Sequence, residues 1–394
     1  MRAVTRPLDA AFELDDIAGS DGYLFVRDGV GLAGRGIAAR VDVDDAPGVL
    51  ASIEHDDGVG GRAPIAIGSV PFEPGAAARL VIPALLVGVA ADGTRWVTRI
   101  EGGDEPPPEL SAAAPPAPRA QRFEVGPLTP VDQYLAAVMA ARDAVRNGSL
   151  LKAVIAREVS VHSDEPIDVH AVLLRLRASF GSSHRYSIDG LVGASPELLV
   201  AVAGDEVRSH PLAGTAPRTG DPATDERVAA QLIASTKDQV EHRVVIDMIH
   251  DTLLPWCSYL DWEPEPSIMT VANVQHLATA MEGRLSDPRP NVLTLVRALS
   301  PTPALGGFPR EGALRLIAEH EGFDRGRYGG AVGWVDANGD GHWAVTIRCA
   351  EFSPDRRSAR LVAGGGIVAA SEPAAELAET QAKLQAMLSA IVRP

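Results

Sequence analysis

Residues 329–352 read GGAVGWVDANGDGHWAVTIRCAEF. Two apolar runs, Gly329 to Val335 and His342 to Phe352, meet at Asp336-Ala337-Asn338-Gly339-Asp340-Gly341, and Asn-Gly chemistry makes that junction an antiparallel hairpin. Further short strand candidates lie upstream, at Lys152 to Val161, Arg185 to Ile188 and Leu198 to Val202. Helical patterns are interleaved with them. Thr129 as N-cap and Pro130 as first helical residue precede Val131, Tyr134, Leu135, Val138, Ala141 and Val145 at helical spacing. A long helical region follows from Asp225 to Leu254, shorter ones over Asn291–Ala298 and Glu311–Glu319, and a last helix from Pro373 to Val392. Strands and helices mix without regular βαβ alternation, so the class is α+β.

Before residue 102 the chain carries β-like runs at Tyr23–Val26, Pro64–Ile67, Leu80–Val87 and Arg95–Ile100, separated by Gly and Asp clusters. Residues 102–121, GGDEPPPELSAAAPPAPRAQ, contain six prolines and no aromatic. Such a stretch is a linker or a long surface connection, with a loop inside one domain the equal alternative. The chain therefore divides into a β-rich region, 1–121, and a second region, 122–394.

With 36 Lys+Arg against 52 Asp+Glu, the 394 residues carry a formal charge of −16. That balance argues against a nucleic-acid binder and against docking on an anionic membrane. No run of 18 apolar residues occurs, and the first twenty residues hold no signal core, so the chain reads as soluble and cytoplasmic. Cys257 and Cys349 are the only cysteines, too few for a disulfide framework or a zinc cluster. Asp336-x-Asn338-x-Asp340-Gly341 opens like a calcium loop, but Ile347 stands where the bidentate acid belongs. Gly364-Gly365-Gly366 lacks the Lys-Ser/Thr of a phosphate loop, and neither HExxH nor Gly-x-Ser-x-Gly occurs.

Acids at helical spacing remain. Asp238 and Glu241 are three apart, as are Glu376 and Glu379, with Lys383 four further on. Two facing helices, each with a carboxylate pair, make a hard oxygen site suited to Mg²⁺ and an anionic substrate. Taken singly, each pair is more commonly a solvated face. Val362-Ala-Gly-Gly-Gly-Ile367 offers backbone N–H groups to a carboxylate, or else a turn needing positive φ. Arg348, within an apolar strand, either pairs with a protein acid or grips a ligand carboxylate. Lys152 opens an apolar strand, where it serves either as a base or as an edge-strand gatekeeper.

Most of these residues belong to nine ordered segments that resemble the chorismate-binding enzymes, the family of isochorismate, salicylate, anthranilate and aminodeoxychorismate synthases. The segments are LKAVIAR (151–157), SPE (195–197), PLAGTAPR (211–218), STKDQVEH (235–242), VQHL (274–277), RYGGAVG (327–333), TIR (346–348), AGGGIV (363–368) and ETQAK (379–383). The resemblance implies two stacked, mostly antiparallel sheets flanked by helices, which the first 121 residues complete. It implies Mg²⁺ held by Glu241 and Glu379, with Asp238 and Glu376 nearby. It places the substrate carboxylates on Tyr328, Arg348, Lys383 and the backbone around Gly214, Thr215 and Gly364–Gly366, beside a site histidine, His276.

Within the family, Ala213 replaces the lysine nucleophile of aminodeoxychorismate synthases. Lys152 matches the water-activating lysine of isochorismate and salicylate synthases, and PTPALGG (301–307), with Ala304 and Leu305, looks like isochorismate synthase. Ser300 departs from the histidine of many such enzymes. The expectation is a Mg²⁺-dependent isochorismate synthase acting on chorismate, monomeric and needing no glutamine amidotransferase. In it Lys152 would deprotonate the water that attacks C2, and Glu197 would protonate the leaving C4 hydroxyl. Salicylate synthase is the alternative; an amination subunit or an inactive chorismate-binding regulator stands further back.

Overall fold

The 329–352 hairpin forms, but its second arm does not continue as one strand. In the computed structural model, which describes residues 1–117, 121–271 and 274–393, Ala331–Asp336 pairs antiparallel with Gly341–Val345. The Asp336 carboxylate closes the turn by accepting from the Asn338 and Asp340 N–H groups. After Val345 the ladder stops, and pairing resumes at Cys349–Phe352 against different strands. Between them, the Ile347 N–H folds back onto the Val345 carbonyl at 3.0 Å and Arg348 takes φ 53°. Arg348 is thus not interior to a strand, as the apolar run suggested. Alternation reports which face a residue takes, and it is silent about a change of partner.

Leu191–Ser195 and Leu198–Ala203 repeat this break, with Pro196, which has no N–H for a ladder, between them. Each break carries the chain from one sheet to the other.

Both sheets grow from one strand, Arg79–Val89. Near its start it pairs with Ile65–Val70 (Ile67 opposite Val81), and near its end with Arg95–Glu101 (Leu85 opposite Arg99), while Val30–Asp42 lines its other edge. The first sheet continues from Val30–Asp42 through Tyr23–Arg27, His184–Ile188, Leu191–Ser195, Cys349–Phe352 and Ser358–Ile367 to Lys152–Ser163. The second runs from Ile65–Val70 through the Ala331–Val345 hairpin, Leu198–Ala203, Glu206–His210 and Met281–Leu285 to Cys257–Trp262. Of the described pairings only Arg2–Pro7 with Glu54–Asp57 is parallel. With the helices outside, this is the expected α+β arrangement. A separate three-stranded sheet joins Leu212–Pro217, Val274–Ala278 and Ser267–Thr270.

One hydrophobic cluster, with Leu80, Ile155, Tyr186, Leu199 and Trp343, draws on both sheets, and a second, with Val161, Leu173, Leu361, Leu384 and Ile391, packs helices onto the first sheet. Residues before 122 contribute to both clusters, including Ala3 and Leu80 to one and Leu14 and Leu24 to the other. The Pro/Ala-rich segment lies along this surface: Asp104 N–H donates to Ala38 O and Ala113 N–H to Asp16 O. Its residues 118–120 lie outside the described chain, as do 272–273 and 394.

Two helix expectations change. The 225–254 region is two helices, Pro222–Ala234 and Thr236–Leu253, broken where the Ser235 hydroxyl caps the second by accepting from Asp238 N–H. Thr129 caps nothing; Pro130 takes the N-cap position of Val131–Arg146, and the Thr129 hydroxyl accepts from Glu158 N–H in the adjoining strand. The strand bond won because it satisfies a backbone donor in a half-buried ladder.

Leu80 is fully buried where the sheets diverge, so Leu80→Ala should lower the unfolding free energy by about 2–5 kcal/mol. Urea titration checks this; a loss below about 1 kcal/mol would show the fork to be loosely packed.

Candidate active site

Where the sheets part, the two breaks lie side by side. Val345 N–H donates to Glu197 O at 3.1 Å, and Ala194 N–H to Arg348 O at 3.0 Å. These bonds use the backbone at the crossings and leave the Glu197 and Arg348 side chains for the gap. The cavity there holds about 650 Å³ of space free of protein atoms, part of it open to solvent, within the range of small-molecule sites.

Glu197 is almost fully buried, and burial pushes its carboxyl up to about 8, against the opposing pull of the Leu212 N–H, Lys152, Arg348 and Lys383. It therefore holds a proton at neutral pH. Arg348 is partly buried; its Nη2 lies 3.2 Å from His276 Nε2, while His276 Nδ1 lies 3.2 Å from Gly214 O and 3.1 Å from Thr215 Oγ1. A guanidinium can only donate, so this network assigns His276 the neutral form, with Nε2 accepting and Nδ1–H donating to Gly214 O. Its pKa agrees: burial first, then Arg348 and Lys383, hold it well below the ordinary value. Burial likewise raises the Tyr328 phenol to about 12, keeping it a donor.

Lys152 begins a strand whose neighbour on one side is Phe308 and is only 2% exposed, which removes the edge-gatekeeper alternative. Its Nζ is 2.7 Å from Glu241 Oε1. Lys383 bridges Glu379 at 2.6 Å and the Gly364 carbonyl at 2.8 Å.

The glycine run lies inside the Ser358–Ile367 strand, with Gly364, Gly365 and Gly366 opposite Ala156, Ile155 and Val154. It is no positive-φ turn. The glycines are needed for space. A Cβ on Gly365 would stand 2.7 Å from Glu376 Oε2, and one on Gly366 would stand 2.6 Å from Glu241 Oε1 and 2.7 Å from Lys152 Cε. Both helices' glutamates thus press against two adjacent glycines.

Among the described residues, the buried Glu376 Oε2 and Tyr134 hydroxyl find no hydrogen-bond partner. Burial and the neighbouring Glu379 raise the Glu376 pKa; Glu379 is held low despite its burial, chiefly by Lys383. Orphaned oxygens among converging carboxylates fit a hard divalent cation. Among the described residues no three acids are already gathered as ligands, because Glu241 and Glu379 each turn to a lysine. Asp238 packs against Gly214.

A match to the family described as chorismate binding enzyme spans residues 94–392. The chain belongs to that family. It is 38% identical over 343 residues to isochorismate synthase DhbC of Bacillus subtilis, covering 84% of this chain and 82% of that one. A Mycobacterium tuberculosis chain provisionally named isochorismate synthase MenF is 41% identical over 377 residues, covering 91% and 93%. Among solved structures, a Bacillus anthracis chain provisionally assigned as the 2,3-dihydroxybenzoate-specific isochorismate synthase DhbC superposes with TM-score 0.80 at 33% identity, covering 96% of this chain and 97% of that one.

Of the residues expected from the chorismate-binding resemblance, Lys152, Glu197, Thr215, His276, Ala304, Leu305, Tyr328, Arg348, Gly364, Gly366 and Lys383 line the cavity. Gly214, Gly365, Asp238, Glu241, Glu376 and Glu379 are not on its wall. Val154, Leu212, Ile347, Val362 and Ala363 line it unforeseen. Period-2 alternation would have found Val154, two residues beyond Lys152, and Val362, two before Gly364. Arg325 also bears on the site. Buried beneath the wall, it donates to Leu305 O and Val154 O at 2.7 Å and pairs with Glu321, whose carboxylate accepts from Ala156 N–H. No sequence signal marks a guanidinium that supports three segments from behind.

The proton on Glu197 has a stability consequence. Its folded pKa, about 8, lies above the roughly 4.3 of an unfolded glutamate, so its contribution is full below pH 4 and is lost as pH rises toward 8. Glu197→Gln lacks that dependence. Between about pH 5 and 8 its unfolding free energy should rise relative to that of the unsubstituted protein in urea titrations. A pH-independent difference would show that Glu197 ionises normally.

Proposed function

We propose that this protein is an isochorismate synthase, dependent on Mg²⁺, that converts chorismate to isochorismate. The observation that carries the reading is a protonated Glu197 on the wall of the same cavity as Lys152, with Arg348 and Lys383 supplying positive charge for a dicarboxylate. The relatives named isochorismate synthase support it, and so does Ala213, a cavity residue with no nucleophile to offer.

In this mechanism the substrate carboxylates meet Arg348, Lys383, Tyr328 and Thr215, and Ala304 and Leu305 supply apolar surface. Lys152 takes a proton from water as the water oxygen bonds to C2. The ring double bonds shift, and the C4–O bond breaks as Glu197 gives its proton to the departing hydroxyl, which leaves as water. Atoms balance: one water enters and one leaves, with the base left as ammonium and the acid as carboxylate. In the reverse direction the two exchange roles. Glu241, Glu376 and Glu379 are the residues that would hold Mg²⁺, which supplies charge to neutralise and anchor the ring carboxylate. Buried Arg325 keeps the Leu305 and Val154 segments in place.

Lys152→Ala and Glu197→Gln should each lower kcat by about 10²-fold or more while leaving the chorismate dissociation constant within a few-fold. Chromatography should show isochorismate as the sole product of the unsubstituted enzyme. Near-normal turnover in either variant would remove its catalytic assignment, and accumulation of salicylate with pyruvate would favour the lyase alternative. Glu241→Ala should lose stimulation by added Mg²⁺ together with activity; a variant still stimulated would place the metal elsewhere.

A further inference from the structure

Arg348 is a non-glycine residue at φ 53°, a backbone conformation that side-chain-bearing residues seldom hold without support. The support can be traced carbonyl by carbonyl. At the crossing, Val345 O accepts from Ile347 N–H, Thr346 O from Gly329 N–H, and Arg348 O from Ala194 N–H. The Ile347 carbonyl differs, because its donor is a side chain: the Tyr186 hydroxyl, at 3.0 Å. That carbonyl belongs to the peptide unit joining Ile347 to Arg348. Turning the unit about the Arg348 N–Cα bond is what changes Arg348 φ, so a bond to its oxygen holds the conformation that aims the guanidinium.

The strand order lets a distant tyrosine do this. Tyr186, Gly193 and Cys349 stand abreast on three neighbouring strands, in register. A Cβ on Gly193 would lie 2.5 Å from the Tyr186 hydroxyl oxygen and 2.7 Å from Cys349 Cβ. The bare glycine is therefore the gap through which the phenol crosses the middle strand. Tyr186 is fully buried and is not on the cavity wall, so it reaches substrate only through what it holds. Burial also keeps the phenol protonated, with its pKa well above the ordinary value, so the donor does not switch with pH.

We propose that Tyr186 is a positioning residue for substrate binding: through its hydroxyl bond to Ile347 O it holds Arg348 in the conformation that presents the guanidinium to the substrate carboxylate. The proposal rests on the reading of Arg348 as a carboxylate-binding residue. Tyr186→Phe keeps the ring and removes only the hydroxyl, with its bond to Ile347 O and its contact with the Cys349 thiol. It should raise the KM for chorismate about tenfold and leave kcat within about twofold, because ground state and transition state lose the same contact.

The double variant Tyr186→Phe/Arg348→Lys separates positioning from general weakening. If Tyr186 acts through Arg348, the double variant should have the kcat/KM of Arg348→Lys alone. Losses that multiply would overturn the proposal, as would an unchanged KM in Tyr186→Phe or a fall in kcat with KM preserved. If Arg348→Lys by itself left KM unchanged, the carboxylate-binding reading would fall and the proposal with it. The circular dichroism spectrum of each variant, compared with that of the unsubstituted enzyme, shows whether the measured changes are local.

Discussion

Everything in this molecule depends on two adjacent strand breaks, Ser195–Leu198 and Val345–Cys349, where the chain passes from one sheet to the other. Sheets that share the root strand Arg79–Val89 must part somewhere, and at the parting backbone groups lose their ladder partners. Buried N–H and C=O groups cannot be left unpaired without cost. The breaks solve this by bonding to each other, Val345 N–H to Glu197 O and Ala194 N–H to Arg348 O. Because the backbone is satisfied crosswise, two charged-type side chains can stand at the mouth of a hydrophobic sandwich. The reactive cavity is thus a product of the topology, with the acid and the guanidinium delivered by the same local solution.

The electrostatics of the cavity run opposite to those of the whole chain. A net charge of −16 describes a surface that repels anions at long range. On the cavity wall the count differs: Lys383 and Arg348 are cationic types, and Glu197, its pKa pushed up to about 8, is neutral. The acids that would offset them, Glu241, Glu376 and Glu379, are not on that wall, and Glu241 and Glu379 each pair with one of its lysines. Gly365 and Gly366 leave room for these carboxylates, since a Cβ at either would collide with one of them. Burial also separates residues of one chemical kind. Glu376 and Glu379 share a helix face, yet one is raised by burial and the other held low by Lys383.

Much of this was legible in the sequence, for reasons tied to particular residues. The Asn338-Gly339 turn, the last helix from Pro373 to Val392, and the i, i+3 acids are local patterns, set by neighbours within four residues. Ordered motifs carried most of the cavity wall. What misled was also local. Thr129 looks like a cap because the competing Glu158 N–H lies in a strand the spacing cannot see. The 342–352 run looks like one strand because Ile347 and Cys349 alternate as a strand should, although the ladder changes partner between them.

By itself, the sequence determined the class of secondary structure, the pairing of carboxylates on helix faces, and the family. Only the tertiary structure decided that Glu197 is protonated, that His276 is neutral, that the glycine triplet is there for space, and that Arg348 stands at a crossing held by Tyr186. The physical reason is range. Helix periodicity and turn chemistry act between residues a few positions apart, whereas desolvation and hydrogen-bond satisfaction depend on neighbours brought together across the chain. Tyr186 and Ile347 are separated by 161 positions in sequence, and their contact exists only because three strands come into register around a glycine.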